Sequence, residues 1–249
     1  MKSTSDMTEH VESNLEYGTN ITMTIDLIRH AEKDKEGQLT EKWKKDSVEF
    51  GNILKENNPD SSGTIVYISD VDRAQGTGEW IGWVDTKLKK RTTNVLSLTW
   101  QISKRVSDNL KMLIDTETGD ESAAIQAIVD SNDTRIDPET ISSQEISQRI
   151  ANKILELINL SERFKTNSKV NVVMVSHSGV IENFIVDILK EERKHFIKKI
   201  WGQLNFLEGV KLIINRKDKN NVEIQLSFRD YNLNITKEDL ENIANWWKQ

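Results

Sequence analysis

The sequence predicts an α/β domain, a three-layer sandwich with a mainly parallel central sheet and helices on both faces, and three observations predict it. Short apolar segments rich in β-branched residues alternate with longer amphipathic ones, the order expected when parallel strands are joined by helical crossovers. One short segment, 169–176, is apolar on both faces, as a strand in the middle of such a sheet must be. Several of these segments also run straight into Arg, His, Ser or Asp, which puts polar groups at strand carboxyl ends, where open α/β sheets bind ligands.

The elements follow in order. Residues 1–20 are rich in Ser, Thr, Glu and Asn and read as a flexible N-terminal tail without the apolar run of a leader peptide. Residues 22–28 form a short buried strand that runs into Arg29 and His30. A helix is expected over 40–57, where Trp43, Val48, Phe50, Ile53 and Leu54 make an apolar face and Thr40 is placed to cap it. The turn cluster at 57–63 precedes a second strand, 64–68, which leads through Ser69, Asp70, Val71 and Asp72 to Arg73 and a helix over 73–84. A third strand is expected at 93–100 from its β-forming residues. The pattern over 103–164 is mostly helical, with breaks at 116–120 and near Asp137 and Pro138. Beyond the strand 169–176 come His177, Ser178 and Gly179, then a helix to Leu189. A hairpin of 209–215 and 222–229 and an amphipathic helix over 237–247 close the chain. With no repeat, low-complexity tract or linker to divide it, 21–249 reads as a single domain.

Composition narrows the chemistry. A net charge of -6 and a pI near 5.4 argue against nucleic acid or an anionic membrane as the main partner. No stretch approaches the ~18 apolar residues of a membrane span. Cysteine is absent, which removes disulfides and thiolate metal sites and fits the reducing cytoplasm. The four histidines are His10, His30, His177 and His195, so a histidine-rich metal centre would need nearly all of them, and no metal is expected.

Three predicted strands end in residues suited to phosphate: Arg29 and His30, Arg73, and His177. In a parallel sheet these ends share one edge, so residues distant in sequence can line one pocket. Guanidinium forks match the oxygens of a phosphoryl group, an unprotonated imidazole can attack phosphorus, and a second imidazole can donate to a phosphate oxygen. Only a proton donor to a leaving alcohol is lacking from the set.

Leu27-Ile28-Arg29-His30-Ala31-Glu32 resembles the Arg-His-Gly signature of the histidine phosphatase superfamily, the phosphoglycerate-mutase-like proteins. Gly37-Gln38-Leu39-Thr40 is similar to that family's Gly-x-Leu-Thr helix start, Ser69 to Ala74 to its second motif, and Val175-Ser176-His177-Ser178-Gly179 to its Val-x-His-Gly-Gly element. Each motif is short; together, in order and at strand ends, they are specific. The resemblance implies a helical cap insertion, falling within 75–165, and hydrolysis of a phosphomonoester through a phosphohistidine. By the same resemblance His30 is the nucleophile, and Arg29, Arg73 and His177 bind the phosphoryl oxygens. The family's acid lies in a Leu-x-Glu-x-x-x-Gly element; Leu113 to Gly119 matches that spacing with Asp for Glu, making Asp115 the first choice of general acid/base and Glu117 the alternative. No metal or organic cofactor is implied, because two arginines and a protonated His177 would balance the phosphate charge. The implied substrate is a phosphorylated small molecule or a phosphoprotein.

The sequence departs from the family at Ala31 and Ser178, where glycine is usual, and at Gly76-Thr77-Gly78, which is weak helix chemistry. Thr116 stands after Asp115 where glycolytic mutases carry Arg, which favours a phosphatase over a phosphomutase. Two further alternatives are a catalytically weak phosphoryl-binding or regulatory module of the same fold and an unrelated nucleotide-binding α/β protein. The latter is disfavoured, because no glycine-rich phosphate loop follows the first strand.

Overall fold

The computed structural model describes residues 16–32, 40–57, 59–82, 89–97, 103–115, 117–118 and 120–246. Its strands are β1 (Ile21–Arg29), β2 (Gly63–Ile68), β3 (Lys89–Thr92), β4 (Lys169–Ser176), β5 (Gly209–Arg216), β6 (Val222–Phe228) and β7 (Tyr231–Ile235). They form one seven-stranded sheet in the order β3-β2-β4-β1-β5-β6-β7. The first four run parallel, and β5, β6 and β7 continue the sheet antiparallel from β1. The helices are α1 (Glu41–Asn57), α2 (Asp72–Gly82), α3 (Lys104–Lys111), α4 (Ser122–Asp130), α5 (Ser143–Leu160), α6 (Ile181–Ile188), α7 (Phe196–Lys199) and α8 (Lys237–Ala244).

The period of two along the central strands sets the layers. Met23, Ile25 and Leu27 of β1, with Val172 and Met174 of β4, pack against Ile150 and Ile154 of α5, Phe184 of α6 and Leu240 of α8. Their neighbours Ile28, Val173 and Val175 face the other way, with Val66 and Ile68, onto Leu54 of α1 and Ala74 and Ile81 of α2. Because both faces are covered, β4 is buried from Val170 to Ser176 and is apolar at most of those positions. Local signals start the helices: the Thr40 hydroxyl accepts from Trp43 N at the head of α1, and Ser142 and Thr236 make capping boxes with Glu145 and Asp239 at α5 and α8.

Three elements differ from expectation. The strand expected at 93–100 lies earlier: β3 is Lys89–Thr92, and Thr93 then caps a single 3-10 turn, Asn94–Leu96, which buries Leu96 in the core. Residues 98–100 of that expectation lie outside the described residues. β3 is fully exposed and carries Lys89, Lys90 and Arg91, the charged composition that keeps a sheet edge from pairing further and that hides it from a search for apolar runs. β7 and the single-turn α7 were not anticipated, β7 because most of its residues face water.

Glycine settles two close approaches. A Cβ at Gly209, where β5 leaves its loop, would lie 1.9 Å from the Leu27 carbonyl oxygen. At Gly78 it would lie 2.6 Å from the Ile68 side chain, so the unusual Gly-Thr-Gly run lets α2 sit directly on β2. Ahead of β1, Gly18 N donates to Phe164 O at 2.9 Å and Tyr17 bridges to Lys165. No helix among the described residues is long and apolar enough to cross a membrane.

Candidate active site

The register of the central strands builds the site. Ile28, Val175 and Ile68 lie side by side on β1, β4 and β2. His30 N donates to Ser176 O at 2.9 Å and Ser69 N to Val175 O at 3.1 Å, so the three chains leave the sheet at one level. His30 and His177 follow their strands directly, and Arg73 lies in the first turn of α2. The three strand ends expected to converge do converge.

The rings of His30 and His177 stand 4.9 Å apart at 61°. His30 Nδ1 lies 2.6 Å from the Ala31 carbonyl oxygen, which can only accept; Nδ1 therefore carries the proton and Nε2 presents a lone pair. Burial, then the neighbouring His177 and Arg73, push the His30 pKa well below the ordinary histidine range, so the ring is neutral. The backbone after it is held by Thr77, whose hydroxyl accepts from Ala31 N at 3.0 Å and donates to Arg73 O at 2.7 Å. The threonine of the Gly-Thr-Gly run thus ties the loop after His30 to α2.

His177 Nδ1 accepts from the Arg73 guanidinium at 3.3 Å, which leaves Nε2–H to donate to Ser69 Oγ at 2.9 Å. Burial, then Arg73 and Arg29, bring its pKa down to about 3. The protonated His177 expected from charge balance is therefore not the resting form: two guanidinium groups next to a buried ring hold it neutral. Arg29 donates to Leu204 O at 2.6 Å and to Glu121 Oε2 at 2.7 Å, and its guanidinium lies 4.3 Å over the Phe206 ring. Behind it, the fully buried Glu182 accepts from Gly179 N at 2.6 Å and Leu204 N at 3.4 Å, which ties the loop after His177 to the loop that holds Arg29.

These groups form the floor of a cavity of about 580 Å³. Ser178 also lines it, and its Oγ, like Arg29 Nε, is buried with no hydrogen-bond partner among the described residues. The hydroxyl that stands where the similar motif has glycine is thus unspent among the described residues.

The structure does not bring Asp115 or Glu117 to this cavity. Asp115 Oδ1 accepts from Glu117 N at 2.9 Å and Thr118 N at 3.2 Å, closing its own exposed turn, and those backbone donors hold its pKa low. Glu117 is exposed. Two carboxylates do line the cavity, Glu32 and Glu121, and sequence reasoning passed over Glu121 as one more acidic loop residue. It occupies the N-cap position of α4 yet makes no side-chain cap; it reaches across to Arg29 instead. Phe206 and Thr77 were also missed, and only the unusual Gly-Thr-Gly run hinted at the second. Glu32, at the cavity's edge, accepts from the Trp43 indole.

No protein-family model and no curated protein sequence matches this chain. Solved structures do, and they show the fold, the phosphoglycerate-mutase-like α/β fold. Mycobacterial glucosyl-3-phosphoglycerate phosphatase is similar at 18% identity and a TM-score of 0.53, over 83% of this chain and 97% of its own. A protein described as mycobacterial hydrolase 1 is similar at 16% identity and a TM-score of 0.54, over 86% and 100%. A mutant phosphoserine phosphatase from Entamoeba histolytica, in complex with phosphoserine, is similar at 17% identity and a TM-score of 0.51, over 88% and 99%.

Proposed function

We propose that this protein is a histidine-type phosphatase that hydrolyses a phosphorylated small molecule through a phosphohistidine on His30. The observation that carries the proposal is the state of His30: a neutral ring, its Nδ1 tied to Ala31 O, with its lone pair free at Nε2 among Arg29, Arg73 and His177. Nε2 attacks phosphorus as the bond to the ester oxygen breaks, and the carboxylic acid of Glu121 gives its proton to the departing alcohol. Water then attacks the phosphohistidine, the P–N bond breaks, and Glu121 takes the water's proton. Arg29 and Arg73 carry the charge on the phosphoryl oxygens, with the unspent Ser178 hydroxyl as a further donor.

Glu121 replaces Asp115 and Glu117 in the acid's role because it alone of the three faces the cavity. Its contact with Arg29 is broken when a phosphoryl dianion claims that guanidinium, and a carboxyl group beside a dianion favours its protonated form. The same dianion draws Arg73 away from His177 Nδ1, which lets His177 take up a proton and donate to a phosphoryl oxygen. The names of the structural neighbours, one a phosphoserine phosphatase and one a glucosyl-3-phosphoglycerate phosphatase, support a small phosphomonoester as the substrate.

The test is para-nitrophenyl phosphate hydrolysis with chelator present, wild type beside His30→Ala, with an alkaline detergent quench to search for a base-stable, acid-labile phosphoprotein. Turnover should fall by about a thousandfold or more in the variant, and the covalent species should vanish. Hydrolysis that survives the substitution removes His30 as nucleophile.

A further inference from the structure

Above its phosphate-binding floor, the cavity changes character. Helix α3 with the turn after it, and helix α4, supply Leu110, Ile114, Ala124, Ile125 and Ile128 to its lining, and Phe206 closes the side next to His30, with ring centroids 6.0 Å apart. Ile125 and Ile128 are at most 5% exposed and belong to the main core, and Leu110 packs against that core, so this wall cannot turn away to present polar groups. We propose that the alcohol half of the substrate is apolar: the site takes a small phosphomonoester whose carbon skeleton beyond the ester oxygen is aromatic or branched aliphatic, not a polyol. This inference rests on the phosphatase reading for its phosphate half.

Of the polar groups that line the cavity among the described residues, Arg29, His30, Arg73, His177 and Ser178 belong to the phosphate floor, and most of the rest have partners. Lys111 is paired with Asp108 at 2.9 Å, Glu32 holds the Trp43 indole, and Glu121 belongs to the ester oxygen and Arg29. Ser107, on the same helix face as Leu110 and Lys111, is the remaining hydroxyl. A sugar or glycerol chain set against this wall would leave hydroxyls without partners, each costing about tenfold in affinity. An apolar chain gains about fourfold for each methylene it removes from water. Phe206, which also packs edge-on to Trp43 at 5.1 Å, offers an aromatic group a ring to meet as it leaves the phosphate seat.

The test compares 2-phenylethyl phosphate with glycerol 3-phosphate, two primary alkyl esters whose leaving groups are alike. Alongside, calorimetric titration of wild type compares 2-phenylethylphosphonate with 2,3-dihydroxypropylphosphonate, which cannot be hydrolysed. The phenylethyl ligand should be favoured by about tenfold or more in both kcat/KM and Kd. Leu110→Asn and Ile114→Asn, at partly buried positions and checked for folding by thermal melt, should each cut that ratio by about fivefold. Equal or tighter binding of the dihydroxypropyl compound, or a ratio unmoved by both variants, overturns the proposal. A phosphotyrosine peptide that outbinds 2-phenylethylphosphonate overturns the small-molecule assignment. The two readings fail separately: a phosphonate preference without hydrolysis of either ester sinks the phosphatase and keeps the apolar pocket. Equal hydrolysis of both esters does the reverse.

Discussion

A histidine attacks phosphorus only while its ring is neutral, and here burial, with help from the arginines proposed to bind phosphate, holds the His30 ring neutral. Because the His30 pKa is pushed down, by burial first and then by His177 and Arg73, the neutral fraction persists as pH falls below the usual value of 6.5. A kcat/KM profile should therefore show no inflection near 6.5 from the nucleophile, and a His30 inflection there would contradict the geometry. His177 moves the other way on binding. Its resting pKa of about 3 depends on burial and the two arginines, and a bound dianion offsets their charge. Binding of sulfate, which is already a dianion at pH 6 and brings no proton of its own, should take up about one proton per site, read by calorimetry in buffers of different ionisation enthalpy. Glu121→Gln should cut kcat/KM for alkyl phosphates by about a hundredfold or more but spare kcat/KM for aryl phosphates, whose leaving groups need little proton donation. Asp115→Asn and Glu117→Gln should leave both substrates within about twofold. His30, Arg73 and His177 were legible because each follows a strand signal in the sequence. Glu121 was not: four carboxylates fall within residues 115–121, and only the folded start of α4 decides which one meets Arg29. Spacing favoured Asp115, whose oxygen is instead consumed by its own turn.

At the scale of elements, α2 shows how a weak helix sequence can be a strong site sequence. Glycine inside an exposed helix costs about 1 kcal/mol relative to alanine, so Gly→Ala there stabilises. At Gly78 the sign reverses, because the new methyl would sit 2.6 and 2.8 Å from two Ile68 carbons and force α2 off β2. Gly78→Ala should destabilise by about 1–3 kcal/mol in urea unfolding. It should also lower kcat, since Arg73 and Thr77 ride on the displaced helix; a more stable and fully active variant would refute this account. The central strands and the closing hairpin were readable because burial on both faces, or alternation, leaves a pattern in sequence. The edge elements were not, because β3 is selected for charge and β7 for solvent exposure, and neither writes an apolar signal. The ends of the sheet are thus where tertiary pairing, not composition, decides what is a strand.

For the molecule as a whole, two buried groups bend the stability curve in opposite directions. His177, with a folded pKa of about 3 against an ordinary 6.5, costs the folded state stability as pH falls through that interval. Asp26 lies mid-strand in β1, 7% exposed, with Oδ2 unpartnered among the described residues. Burial raises its pKa from 3.8 to about 6, and Lys211 only partly offsets the rise. A carboxyl group with a raised folded pKa contributes stability that is fully present below 3.8 and lost as pH rises through about 6. The ionised form at neutral pH is therefore a standing cost that the rest of the sheet carries. Asp26→Asn removes the charge at nearly constant volume, so the variant should be more stable by about 3 kcal/mol at pH 7.5 and by only about 1 kcal/mol at pH 4.5. Urea unfolding of wild type and variant at the two pH values checks this, with the His177 contribution common to both proteins and cancelling in the difference. A gain that did not change with pH would assign the effect to packing around residue 26 and leave ionisation out of it. A loss at both pH values would mean that the sheet depends on the carboxylate itself.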